Sequence, residues 1–183
     1  MAMDEAFHGV PDVLAYLAGT WQVERTARDV AGSAEGHFTG TTVFSLAAGG
    51  GLLHHESGTF TWRGTARPAE RTLRFLPGDD PATAHVLFAD GRPFHDLDLR
   101  TGRHTADHPC ALDLYRGEFE VYDERRWRMR WRVAGPAKDL ILTTAYTRQD
   151  PAPPISGSAR VGASGEGLTA GPAPSTSPGR RVR

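Results

Sequence analysis

The chain has 183 residues, a formal net charge of -1 and 39% hydrophobic content, enough to bury one real core. That balance excludes the overall basic field by which a protein holds nucleic acid or an anionic membrane. Cys110 is the single cysteine, which excludes an intrachain disulfide and asks for no oxidising compartment. Of the 21 basic residues only Lys138 is lysine, a usage that points to a GC-rich bacterial genome more than to a function.

In chain order, residues 1–10 read as a flexible N-terminus. They lack the basic start and long apolar core of a signal peptide, and no run approaches the roughly 18 apolar residues that span a bilayer. A soluble, cytoplasmic protein is the expectation. Pro11 then opens "PDVLAYLAG", where Val13, Leu14 and Leu17 suit one or two helical turns ending at Gly19. From Trp21 to Arg148 the apolar period becomes two, with turn residues every eight to twelve positions. The pattern predicts strands near 20–28, 36–46, 50–57, 58–64, 71–76, 83–89, 94–99, 111–122, 126–134 and 139–148. Residues 11–149 are therefore expected to form an all-β domain, an antiparallel barrel of eight to ten strands with a short N-terminal helix. Residues 150–183, rich in Pro, Gly, Ser and Ala and without an aromatic, cannot bury enough apolar surface to order themselves and read as a disordered tail.

"RWRMRWRV" is the clearest strand: Trp127, Met129, Trp131 and Val133 share one face and Arg126, Arg128, Arg130 and Arg132 the other. The stretch before it places Asp113, Tyr115, Gly117, Phe119 and Val121 on one face and Glu118 and Glu120 on the other. Pairing Tyr122 with Arg126 sets Glu120 against Arg128 and Glu118 against Arg130 outside. Inside it sets Val121 against Trp127, Phe119 against Met129 and Gly117 against Trp131. The arginine row then reads as a solvated outer face with glutamate partners rather than a phosphate-binding one.

The same register brings Tyr115 opposite Val133 and Asp113 alongside Gly135, so "DHPC" and "GPAK" fall at one end of the barrel, with Asp113, Tyr115 and Lys138 within mutual reach. Three readings follow. These groups satisfy one another and close the barrel end; or they are the polar anchors of a largely apolar ligand pocket; or Tyr115 or His108 serves as acid or base in an isomerase- or hydrolase-type reaction. The pocket reading makes Trp127, Met129, Trp131, Phe119 and Val121 its apolar wall, with His108 and Cys110 nearby. It implies a small, partly apolar ligand, with an anionic or carbonyl head favoured by Lys138. A filled barrel acting through its surface is a further alternative. His104, His108, Cys110 and Asp113 have donor types that suit zinc, but no second ligand pair accompanies them, so no metal is expected. Cys110 reads as a small buried hydrophobe. His54 and His55 point to opposite faces of a strand and cannot act as a pair.

"LAGTWQVER" (17–25) resembles the Gly-x-Trp opening of lipocalin-like and fatty-acid-binding-protein-like barrels, where the Trp plugs one end. "HPCALDLYRGEF", "WRMRWRVAGPAKD" and "TAYTRQ" resemble a bacterial family of lipocalin-like domains of unknown function, over roughly Tyr16 to Arg148. His108, Cys110, Asp113, Tyr115, Trp131, Gly135, Pro136, Lys138 and Arg148 carry that likeness. It implies a barrel and no particular activity. "GTW" and "GHFTGTTVFSL" are also similar to nitrobindin-like haem barrels, but the last strand, "DLILTTAYTR", has no histidine to offer a haem. No cofactor is expected.

Overall fold

A computed structural model describes residues 7–110 and 112–150. The expected disordered tail, from residue 151 on, and the first six residues of the expected flexible N-terminus lie outside the described residues. Helix α1 (Val13–Leu17) begins at Asp12, whose carboxylate accepts the Ala15 N–H at 2.9 Å, and it buries Val13 and Leu17. Ten strands follow: β1 (Gly19–Asp29), β2 (Glu35–Leu46), β3 (Leu52–Trp62), β4 (Thr65–Pro77), β5 (Thr83–Phe88), β6 (Pro93–Asp98), β7 (Arg103–Cys110), β8 (Asp113–Asp123), β9 (Arg126–Gly135) and β10 (Lys138–Arg148). Among the described residues no helix is long and apolar enough to cross a membrane.

All ladders are antiparallel, in the order β6-β5-β4-β3-β2-β1-β10-β9-β8-β7. Successive strands other than β6 and β7 thus form hairpins, and β1 joins β10 from Trp21 opposite Arg148 to Asp29 opposite Leu140. The end strands β6 and β7 share no ladder, but His104 Nε2 of β7 lies 3.1 Å from the Asp96 carbonyl of β6. The result is a nearly closed barrel, the architecture that period-two patterning predicts.

One end is plugged. Trp21 is wholly buried and donates its indole N–H to the Leu17 carbonyl at 2.8 Å. The Arg148 guanidinium lies 4.1 Å over the indole and donates to the carbonyls of Ala18, Glu124 and Tyr16. The last strand thereby stitches helix, first strand and β8–β9 turn together. Residues 7–10, expected to be loose, are tied down at this end: the His8 N–H reaches Val121 O and the Val10 N–H reaches Leu99 O, each at 2.9 Å, and Val10 is buried.

The β8–β9 register is the expected one from Tyr115↔Val133 to Val121↔Trp127. Its turn end differs, because a bulge passes over Tyr122 and pairs Asp123 with Arg126. Outside, Arg128 bonds Glu120, Arg130 meets Glu118 at 3.4 Å, Arg132 grips Asp139, and Arg126 grips Asp123. All four arginines of the row therefore have carboxylate partners.

Three elements differ from the sequence reading. The segments 50–57 and 58–64 are one strand, because Gly58 pairs with Gly40 inside the barrel. A Cβ on either glycine would come within 2.7 Å of the Phe38 ring, so the glycine pair is the space that ring occupies. β4 starts six residues before the expected 71, since Thr65–Thr72 pair only with β3 and leave an edge on which Pro68 is tolerated. Finally, "RHTADHPC" is strand β7, also an edge, which accommodates Pro109.

Candidate functional site

The strands put the sequence-singled residues in two groups. At the barrel end away from Trp21, Lys138 Nζ lies 2.7 Å from the Asp113 carboxylate and 5.9 Å from the centroid of the Tyr115 ring. Gly135 packs so closely on Asp113 that a Cβ there would collide with the carboxylate. Asp113 and Lys138 thus satisfy each other at a half-exposed rim, and the pairing holds the Lys138 ammonium above its ordinary pKa. His108 stands beside them, edge-on to Phe88, Phe94 and Tyr115. Cys110 pairs through its backbone with Asp113 across the β7–β8 turn.

The second group lies deeper. Phe119, Trp127, Met129 and Trp131 are all buried and line a small interior cavity. Phe94, which stacks on Trp131 at 5.1 Å, connects the two groups through its contact with His108. Gly117 makes room for the Trp131 ring, which a Cβ there would approach to 2.7 Å.

His54, Arg71 and Tyr146 also line this cavity, and Arg71 is bonded to the Arg25–Glu56 ion pair beside it, a cluster absent from the sequence reading. β3 and β4 place His54 beside Leu73 and Glu56 beside Arg71. Arg25, inward from β1, forks onto Glu56 with two 2.8 Å bonds and gives its Nε–H to Thr144 at 2.8 Å. Both Glu56 oxygens are taken in this way, and Arg71 reaches the carboxylate only through one 3.4 Å contact. Tyr146 completes the wall, stacked face to face on Trp127 with ring centroids 3.7 Å apart.

Centres of water-sized atoms can range over about 30 Å³ in this cavity. That is room for very few waters or for one small chemical group. Three buried polar atoms of its lining residues have no hydrogen-bond partner: His54 Nδ1, Arg71 Nε and Trp127 Nε1. Buried polar groups are nearly always paired, so three such atoms among the lining residues of one cavity single it out.

Burial, reinforced by the Arg71 charge, pushes the His54 pKa down to about 3, so its imidazole is neutral near pH 7. Burial likewise pushes His95, wedged against Phe119 and Trp131, down to about 4, against the opposing pull of the Asp96 carbonyl. Both folded values lie below the ordinary 6.5. Below that value the unfolded chain therefore binds more protons than the folded one, and stability falls as pH drops from about 6.5 toward 4. Urea midpoints measured across this range should decline in the wild type and decline less in His54→Phe and His95→Phe.

The structure thus brings Asp113, Tyr115 and Lys138 together as the register predicts, but at the rim, and gathers Phe119, Trp127, Met129 and Trp131 around the interior. Arg25, His54, Glu56, Arg71 and Tyr146 were missed as a set. The available signal was charge on inward positions: Arg25 follows Trp21 and Val23 at period two, and Glu56 follows Leu52 and His54. Among the described residues no group of three or more His, Cys, Asp or Glu is arranged to hold a metal ion.

No curated protein matches the chain. Among solved structures it is similar to an S-type phycobiliprotein lyase from Guillardia theta, with a TM-score of 0.57 at 9% identity over 80% of this chain and 96% of that one. It is also similar to a DUF3598-family protein of unknown function from Nostoc punctiforme, with a TM-score of 0.55 at 10% identity over 77% of this chain, but only 51% of that one. At such identities the likeness is one of fold. A family model matches residues 17–148, nearly the whole barrel, and by that match the chain belongs to the family of unknown function DUF6314.

Proposed function

We propose that the barrel binds a small, partly apolar molecule in its interior. The observation that carries this reading is the small interior cavity with three unpartnered polar atoms on its lining residues, His54 Nδ1, Arg71 Nε and Trp127 Nε1. Leaving a donor buried and unpaired costs about 1–3 kcal/mol, so a partner is favoured there. Phe94, Phe119, Met129 and Trp131 offer the apolar wall that such sites have. Compared with the sequence reading, the polar anchors move from Lys138, whose charge Asp113 already meets, to Arg71 and its neighbours.

The small room supports a second reading, a filled barrel whose cavity holds only water and whose role lies on its surface. A thermal-shift screen of compact aromatic and aliphatic compounds separates the two. A molecule that binds the folded state raises the midpoint as its concentration passes its Kd. On the first reading some compounds do so in the wild type and fail in Gly117→Leu, which crowds Trp131; on the second none does in either.

A further inference from the structure

We infer that the way into the barrel interior is the seam between β6 and β7, with the β5–β6 hairpin as the flap that opens it. As a ligand entrance the seam rests on the reading above, but the opening itself concerns any molecule that crosses the wall, water included. Elsewhere around the barrel neighbouring strands are joined by a ladder, so parting them breaks a run of backbone hydrogen bonds at once. Between β6 and β7 there is no ladder to break, and the gap is spanned by His104 Nε2 against the Asp96 carbonyl at 3.1 Å.

The wall is also thin there. An open groove beside β7 is lined by Arg103, His104, Thr105, Glu118, Phe119 and Glu120, and Phe119 lines the interior cavity as well. A single buried residue, flanked by the rings of His95 at 5.2 Å and His104 at 6.0 Å, thus borders both spaces. On the other side of the seam, β5 is laddered to β4 only from Leu73↔Phe88 to Pro77↔Ala84. β6 in turn is laddered to β5 only from Thr83↔Asp98 to Leu87↔Pro93, with a bulge after Val86, and every other ladder is longer. Elements held by so few backbone bonds open locally, at a lower free energy than the whole fold. At its Leu99 end the hairpin is anchored: the Leu99 N–H reaches the Ala82 carbonyl at 3.1 Å, and the Leu99 carbonyl accepts from Val10 at 2.9 Å. At the turn between Phe88 and Pro93 it closes through ring contacts instead, Phe94 on Trp131 and both phenylalanines on His108. Such contacts part without unzipping a strand, so the flap swings from Leu99.

Hydrogen exchange of the indole N–H groups, followed by NMR on the full chain, tests this with water as the probe. The Trp127 Nε1–H is buried without a hydrogen-bond partner on a residue that lines the cavity, so its exchange reports water arriving inside. The Trp21 Nε1–H, bonded to the Leu17 carbonyl in the plugged end, reports opening of the whole barrel. In the wild type Trp127 should exchange at least about tenfold faster than Trp21. His104→Ala, which removes the bond across the seam, should speed Trp127 by a further factor of about three to ten, the scale of one hydrogen bond, and leave Trp21 unchanged. Lys138→Ala, which breaks the pair with Asp113 at the rim, should change neither rate. Exchange of Trp127 at the Trp21 rate overturns the inference, and so does a Trp127 rate that ignores His104→Ala or rises as much in Lys138→Ala. The ligand-binding reading fails separately, in the thermal-shift screen.

Discussion

Glu56→Ala is expected to cost about 3–5 kcal/mol of folding stability, the range for removing one partner of a buried ion pair. The carboxylate is only 3% exposed and is the acceptor for three guanidinium N–H groups, so its loss strands Arg25 without its main counter-charge. Arg25 is itself only 12% exposed and would keep neutral partners, Thr144 and the Phe38 ring, in place of the carboxylate. Replacing both charges, as in Arg25→Met with Glu56→Leu, should cost less than Glu56→Ala alone, because no charge is then left buried. Acid should mimic the alanine variant. Burial raises the Glu56 pKa, but the Arg25 hydrogen bonds and the Arg71 charge outweigh it and hold the carboxyl below its ordinary 4.5. The stability this carboxylate contributes is then present above about 4.5 and is lost as pH falls through the lower folded value. Urea titrations of the single and double variants at pH 7, and of the wild type below pH 5, check each step.

Trp21→Ala should be comparably damaging, at about 3–5 kcal/mol. The indole is wholly buried, packs edge-on to Trp127, and lies beneath the Arg148 guanidinium. Its removal opens a cavity where helix α1, β1 and β10 meet, and it strands the Leu17 carbonyl. Trp21→Phe separates the contributions: it keeps most of the packing and loses the Nε1 hydrogen bond, for a smaller loss of about 1–3 kcal/mol. A Trp21→Ala protein with an unchanged urea midpoint would mean that this end does not hold the barrel shut.

The β8–β9 hairpin was legible because three independent patterns agree there: strict alternation, glutamates opposite arginines, and a glycine opposite the bulky Trp131. β7 was not legible, since "RHTADHPC" turns His104, Ala106 and His108 inward, residues that do not announce a buried face. As an edge strand it also needs no continuous apolar run and tolerates Pro109. Gly58 read as a break because a lone glycine weakens a strand; its partner Gly40 lies on another strand, and only register reveals that the two accommodate Phe38.

The rim group was readable for the same reason as the hairpin that carries it. The charged interior was not. Arg25, Glu56 and Arg71 come from three strands, and each alone resembles an ordinary surface charge. Their meeting depends on the β1–β2, β2–β3 and β3–β4 registers together. Sequence alternation supplies each inward face but not the pairing that stacks one charge against the next.

Whether the barrel interior holds a ligand is decided by native mass spectrometry of the full chain, isolated gently from its own cells. A ligand-holding barrel should give a population heavier than the chain by one small molecule, released on denaturation and absent from Gly117→Leu. The mass of the bare chain alone, under conditions that preserve the fold, would contradict it and leave a water-filled, closed barrel.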